Sequence, residues 1–287
     1  MTAQILDGRP IAAALRQELA EQVAGFRHQY GFGPVLAVVR VGNDPASISY
    51  ARMIDQSFRQ TGFGYELVVL EEDAPFEELA ELLDRLGHDP AVHGVMLQRP
   101  LPPHLNADTA LAHLPVGKDV EGVTPLNLGR LLVNTGDYFP TSTPSAAIVL
   151  RQRCGIPIRG RHAVVVGRSV ILGRPLSLLL LHENATVTTC HTRTPDLGAF
   201  TRQADILIAA AGKPRLISGE MVKPGAVVID FGVNYVEGKM TGDVDFDSVS
   251  KVAGALTPVP GGTGPITTVM LLSNTLKAAQ LQAAGQK

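Results

Sequence analysis

Apolar positions along the first part of the chain alternate between two periods. Pro10 stands where a first-turn proline suits a helix, and Ile11, Leu15, Leu19 and Val23 follow at helical spacing. A short apolar run over 34–41 ends in Gly42-Asn43-Asp44, the pattern of a buried strand and its turn. The same reading predicts a helix over about 46–60, a strand over 65–70, a helix over 75–86 and a strand over 92–98. Strands that alternate with helices imply right-handed crossovers and a parallel sheet.

The stretch 99–134 breaks this rhythm. It is rich in Pro, Gly and Asn, and Lys118, Asp119, Glu121 and Asn127 look placed for use and not for packing. Thr143-Pro144 then opens a helix to about 153 that leads into a second domain. Strands are predicted over 162–166, 186–190, 205–210 and 226–230, a short helix over 245–252, and a long terminal helix over 265–282 expected to pack back on the first domain. A chain of 287 residues suits two domains, each with its own core. The α/β pattern divides as 1–140, completed by 265–287, and 141–264.

Composition narrows the function classes. Hydrophobic residues at 45% and charged residues at 18% describe a folded globular chain. A formal net charge of −2, no Trp and 5% aromatics give no footing for nucleic acid or an anionic membrane. Cys154 and Cys190 are the only cysteines and lack metal-ligand spacing, so no metal and no disulfide framework are expected. The first residues lack the basic and apolar regions of a secretory signal, and a cytoplasmic protein is the expectation.

Val164-Val165-Val166-Gly167-Arg168-Ser169, closing at Gly173, reads as a strand, a tight turn and a helix start, a place where backbone amides favour a pyrophosphate. It departs from the common GxGxxG pattern. Arg168, with Thr192 and Arg193 past the next strand, offers cations and a hydroxyl where an NAD site usually carries an acid, which favours NADP over NAD. Asp230-Phe231-Gly232-Val233-Asn234 follows a strand, and Asp245 reads first as a helix cap. The dense Pro and Gly of 258–265 suits either close approach to a flat ligand or a rigid hinge.

Taken together, Asn43-Asp44-Pro45-Ala46-Ser47, Ser49-Tyr50, Gln98 with Pro100-Leu101-Pro102, Lys118-Asp119-Val120, Gly167-Arg168-Ser169, Gly242-Asp243-Val244-Asp245 and Pro258-Val259-Pro260-Gly261-Gly262 form one collinear set. This set resembles the bifunctional methylenetetrahydrofolate dehydrogenase/methenyltetrahydrofolate cyclohydrolase family and spans nearly the whole chain. The resemblance implies an N-terminal α/β catalytic domain and a Rossmann-type NADP domain, with a folate cleft between them, long bridging helices and a homodimer through the cofactor domains. It implies a folate site of Tyr50, Gln98, Pro100, Glu121, Pro260 and Gly261. It implies a cofactor site of Gly167, Arg168, Ser169, Thr192, Arg193 and Val233. Tyr50, Gln98 and Glu121 would be the catalytic group.

The chain departs from the family where chemistry is expected. Ile54 stands at the position of the family's catalytic lysine, one helical turn after Tyr50, and no lysine occurs before Leu114. Glu121 replaces an aspartate, Arg99 an apolar residue, and Ser142 and Thr263 usual apolar or cysteine residues. Hydride transfer from 5,10-methylenetetrahydrofolate needs mainly positioning, whereas opening the methenyl ring needs proton transfer. The expectation is an NADP-dependent dehydrogenase with weak or absent cyclohydrolase activity. The alternatives are the full bifunctional enzyme, with Glu121, Arg99 or a water in the lysine's place, and a folate- or nucleotide-binding paralogue.

Overall fold

The computed structural model describes residues 2–285. In chain order the first elements are β1 (Gln4–Ile5), α1 (Gly8–Tyr30), β2 (Val35–Val41), α2 (Pro45–Gln60), β3 (Gly64–Leu70) and α3 (Phe76–His88). Next come β4 (Gly94–Leu97), α4 (Ala107–Leu111), α5 (Pro125–Val133), α6 (Ser142–Arg153), β5 (His162–Val166) and α7 (Gly173–His182). Then follow β6 (Thr186–Cys190), α8 (Leu197–Thr201), β7 (Ile206–Ala209), β8 (Val227–Asp230), β9 (Asn234–Val236) and β10 (Lys239–Thr241). Last are α9 (Phe246–Val249), β11 (Ala255–Leu256) and α10 (Gly264–Gly285).

The chain divides into two compact units, one of residues 1–13 with 143–267 and the other of 14–142 with 268–287. In the second of these, β3, β2 and β4 form a parallel sheet in that order. One face of β2 carries Ala37, Val39 and Val41, which pack with Leu79, Leu83 and Leu86 of α3 and with Val95 and Leu97 of β4. Each such leucine, fully removed from water, contributes about 1.5–3 kcal/mol. The other face of β2 carries Leu36, Val38 and Arg40, and the ring of Phe58 in α2 lies 6.3 Å from that of Tyr65 in β3. Helix α2 starts where Asp44 accepts a hydrogen bond from Ser47 N at 2.8 Å and Pro45 takes the first turn.

Helix α5 lies inside the stretch that the apolar periodicity left irregular. Thr124 caps it, Pro125 starts it, and Asn134 closes it in the left-handed conformation at φ 52°. The strand expected over 92–98 is shorter, because its pairing with β2 runs only from Gly94 to Leu97.

The other unit is built on a six-stranded parallel sheet, ordered β1-β11-β8-β7-β5-β6. Strands β5 and β7 lie inside it and are apolar and buried over 163–166 and 206–209, as strands covered on both faces must be. Residues before Ala14, expected with the first domain, belong here, because β1 pairs with β11 in the register Gln4↔Ala255. The chain runs from β5 outward to β6 and then to β7 on the opposite side of β5, so the order reverses beside β5. Open α/β sheets bind ligands at the carboxyl ends of strands at such a reversal.

Among the described residues, no helix is long and apolar enough to cross a membrane. Helix α10 is joined to the loops of the 14–142 unit by Asn274, whose Nδ2 donates to Val120 O at 2.8 Å and to Pro140 O at 2.9 Å. Asn274→Leu leaves both carbonyls without that donor and is expected to cost about 1–3 kcal/mol. Urea unfolding monitored by circular dichroism checks this; an unchanged midpoint would contradict it.

Candidate functional site

Helix α2 sets the first group of residues. Ser47 and Ile54 lie two turns apart on one buried stripe, with exposures of 4% and 0%. Tyr50 lies one turn before Ile54 and is partly buried. Just past β4, Gln98 is 2% exposed and its Nε2 donates to Ser47 O at 2.6 Å, which ties the strand end to the first turn of α2. The other half of the same carboxamide, Oε1, is buried without a hydrogen-bond partner. Such an atom costs about 1–3 kcal/mol when no donor reaches it. Side chains on a helix lean toward its N-terminus, so a lysine at position 54 would extend toward the end that Gln98 touches. An isoleucine offers no donor.

Glu121 enters the group electrostatically. Burial, then the charge of Asp119, push its carboxyl up to about 8, and Arg99 opposes the shift. The Tyr50 hydroxyl is raised well above its usual range by burial and by the charge of Glu121. Glu121 therefore lies within electrostatic reach of both Tyr50 and Arg99. Arg99 is exposed, and the Arg99–Pro100 peptide is cis.

The rest of the loop around Glu121 holds its own backbone. Asp119, 1% exposed, accepts from Thr124 N at 2.7 Å, Val123 N at 3.2 Å and Asn127 Nδ2 at 2.7 Å. Lys118 is buried and turns its Nζ to the carbonyls of Leu86 and Asp89. Burial lowers the pKa of this ammonium. Gly122 has φ +69°, and a Cβ there would sit 2.1 Å from Phe139 O. Lys118, Asp119 and Asn127, grouped with Glu121 by the sequence, hydrogen-bond to the backbone and to each other in the loop that carries it.

The second group lies in the other unit. Gly167 closes β5 at φ +138°, and a Cβ there would meet Ala210 O at 2.1 Å, so the turn fits only glycine. Val166 pairs with Cys190, which sets Gly167-Arg168-Ser169 and His191-Thr192-Arg193 at neighbouring strand ends. Arg168, Ser169, Thr192 and Arg193 are all exposed. Arg174 N donates to Ser169 O at 3.1 Å at the start of α7. This donor set, amides at a helix start with exposed guanidinium groups, fits a dinucleotide carrying an extra phosphate.

Val233 is 65% exposed beside the β9–β10 hairpin. Asp230 and Asp243 hold the loops around it. Asp230 accepts from Gly232 N at 2.7 Å and Val244 N at 2.9 Å; Asp243 accepts from Gly212 N at 2.8 Å and Asn234 Nδ2 at 2.9 Å. Burial pushes Asp230 up to about 6 against these amide donors. Asp245 stands at the helix cap position but accepts from Ser248 Oγ at 2.6 Å and not from a backbone amide. Pro260 and Gly261 belong to this unit, apart from the Tyr50 group in the division of the chain, and Thr263 Oγ1 reaches Asp230 O at 3.4 Å. The carboxylate clamp of Asp230 and Asp243 was missed from sequence, although both aspartates lie in the quoted motifs.

With this geometry in view, the comparisons agree. Residues 6–121 match the tetrahydrofolate dehydrogenase/cyclohydrolase catalytic domain and residues 141–283 its NAD(P)-binding domain. The chain is 50% identical over 287 residues to a protein of Roseiflexus sp. (strain RS-1) named bifunctional protein FolD, covering 100% of this chain and 99% of that one. A Campylobacter jejuni structure titled bifunctional enzyme FolD, methylenetetrahydrofolate dehydrogenase/cyclohydrolase, superposes with TM-score 0.95 at 41% identity, covering 97% of this chain and 99% of that chain. A Trypanosoma brucei methylenetetrahydrofolate dehydrogenase-cyclohydrolase, complexed with NADP cofactor and inhibitor, gives TM-score 0.94 at 37% identity over 99% of both chains. The chain belongs to the tetrahydrofolate dehydrogenase/cyclohydrolase family. The names of these relatives favour the bifunctional alternative over the expectation of weak or absent cyclohydrolase activity.

The Glu121 shift has a sign that solution work can read. A carboxyl raised from 4.5 to about 8 lends its stability below 4.5 and loses it as pH rises through 8. Glu121→Gln should therefore gain a few degrees of melting temperature over the natural chain as pH rises from about 5 to about 9. A pH-independent difference in scanning calorimetry would contradict the assignment.

Proposed function

We propose that this chain oxidises 5,10-methylenetetrahydrofolate to 5,10-methenyltetrahydrofolate with NADP+ as hydride acceptor. The family match over both domains carries this reading. The Trypanosoma brucei relative's complex with NADP supports the choice of cofactor. So do the guanidinium groups of Arg168 and Arg193, exposed at neighbouring strand ends with no acidic residue between His191 and Thr194. The bound nicotinamide would accept the hydride; nitrogen lone pairs of the substrate stabilise the cation left behind. The protein's task is then to hold the folate: the ring of Tyr50 stacks on it, Gln98, Pro100, Glu121, Pro260 and Gly261 contact it, and Gly167, Ser169, Thr192 and Val233 contact the cofactor. A homodimer through the cofactor domains is part of the same proposal.

The bifunctional relatives support a second step, hydrolysis of the methenyl product to 10-formyltetrahydrofolate. We read this step as present but slow. Ile54 supplies no ammonium, and the Gln98 Oε1 that would orient one has no donor. Loss of such proton transfer typically costs about 10²–10⁴-fold. Glu121, titrating near neutrality at about 8, is the group left to move the proton.

Two measurements check the proposal. Arg168→Ala should raise the apparent KM for NADP+ by about tenfold or more, with little change for NAD+; equal effects would remove the 2′-phosphate assignment. Ile54→Lys should raise methenyl hydrolysis by about tenfold or more while leaving hydride transfer within a few fold. A faster dehydrogenase with unchanged hydrolysis would contradict the role given to position 54.

A further inference from the structure

The face of α2 turned away from Tyr50 borders a second feature that the folate reading does not use. Arg52, Asp55 and Arg59 recur there at helical spacing, and Arg52 lies about 200° round the helix from Tyr50. With Arg40, Tyr65 and Leu67 they line a cavity of about 410 Å³, within the range of small-molecule sites.

Its charge is unbalanced. Arg40 comes from the central strand β2 and is 9% exposed. Its Nε donates to Gly42 O at 3.1 Å, and among the described residues its guanidinium forms no ion pair. Among the described residues its terminal nitrogens make no hydrogen bond, they are not sealed from solvent, and the side chain lines the cavity. The only carboxylate among the lining residues, Asp55, is engaged by Arg59. Arg52 is exposed and adds a further cation. The hydroxyl of Tyr65 feels the charges of Asp55, Arg40 and Arg59, so these groups converge. A guanidinium taken largely out of water without a counter-charge is costly, and an anion at its open edge offsets that cost.

The cavity also has an apolar side. Tyr65 and Leu67 stand on one face of the edge strand β3, where Leu67 remains 40% exposed. The Tyr65 hydroxyl donates to Ala51 O at 3.2 Å, which turns the ring into a wall.

We propose that this cavity is a binding site for a small organic anion. Its oxyanion head, carboxylate or phosphate, is taken by Arg40 and Arg52, and its apolar body lies against Tyr65 and Leu67. The site is separate from the residues assigned above to folate and cofactor, and it stands whether or not that assignment holds.

Calorimetric titration of the full chain, saturated with NADP+, tests it with phenyl phosphate, benzoate and the neutral benzyl alcohol. At least one anion should bind about tenfold or more tightly than benzyl alcohol, and the tighter arm identifies the head group. Arg52→Ala, an exposed change expected to leave melting temperature and dehydrogenase rate intact, should weaken that anion about tenfold; Arg40→Leu should weaken it further. Equal binding of anion and alcohol, an unchanged affinity in Arg52→Ala, or no binding of either anion at millimolar concentration would overturn the proposal.

Discussion

The bond from Gln98 Nε2 to Ser47 O is the constraint on which the candidate chemical site depends. It joins the end of β4 to the first turn of α2, and so fixes the helix that carries Tyr50 and Ile54 against the strand end that carries Gln98. The helix start is itself set by Asp44 and Pro45. The two ends of this carboxamide differ: its nitrogen is held by Ser47 O, and its oxygen meets no donor among the described residues. That the oxygen is buried without a donor, on a chain with isoleucine where its family's lysine is expected, gives the departure a physical form.

Charge in both units is handled by backbone more than by ion pairs. Asp119, Asp230 and Asp243 are nearly sealed from water, and each is met by amide or carboxamide donors. Glu121 differs: burial and Asp119 raise it, with only the charge of Arg99 opposing. Perturbed carboxyls of that kind gather at functional sites. Glu121 is thus set apart from its acidic neighbours by what fails to hold it.

Much of the fold was legible because its strands are covered on both faces. The strands expected over 162–166 and 205–210 and the helices expected over 46–60 and 265–282 all form, with ends that differ by a few residues at most. Two-residue strands β1 and β11 carry no periodicity, since their pairing is decided by neighbours distant in sequence. Helix α5 was missed although Thr124 and Pro125 announce it, because the polar residues around them drew a functional reading. In the candidate site, residue types and order were legible, but the roles of Lys118, Asp119 and Asn127 were not. Whether a buried polar group meets a backbone or a ligand depends on geometry that spacing does not encode. Arg40 escaped notice for a similar reason: it sits inside a run read as apolar, and only the fold shows that among the described residues no carboxylate pairs with it.

The proposal at the centre of this account is that ring opening in this chain is slower than hydride transfer. The most direct measurement is the ratio of enzyme-dependent methenyltetrahydrofolate hydrolysis to NADP+ reduction by the natural protein in one buffer. The account predicts steady NADP+ reduction with markedly slower hydrolysis. Hydrolysis as fast as reduction would contradict it.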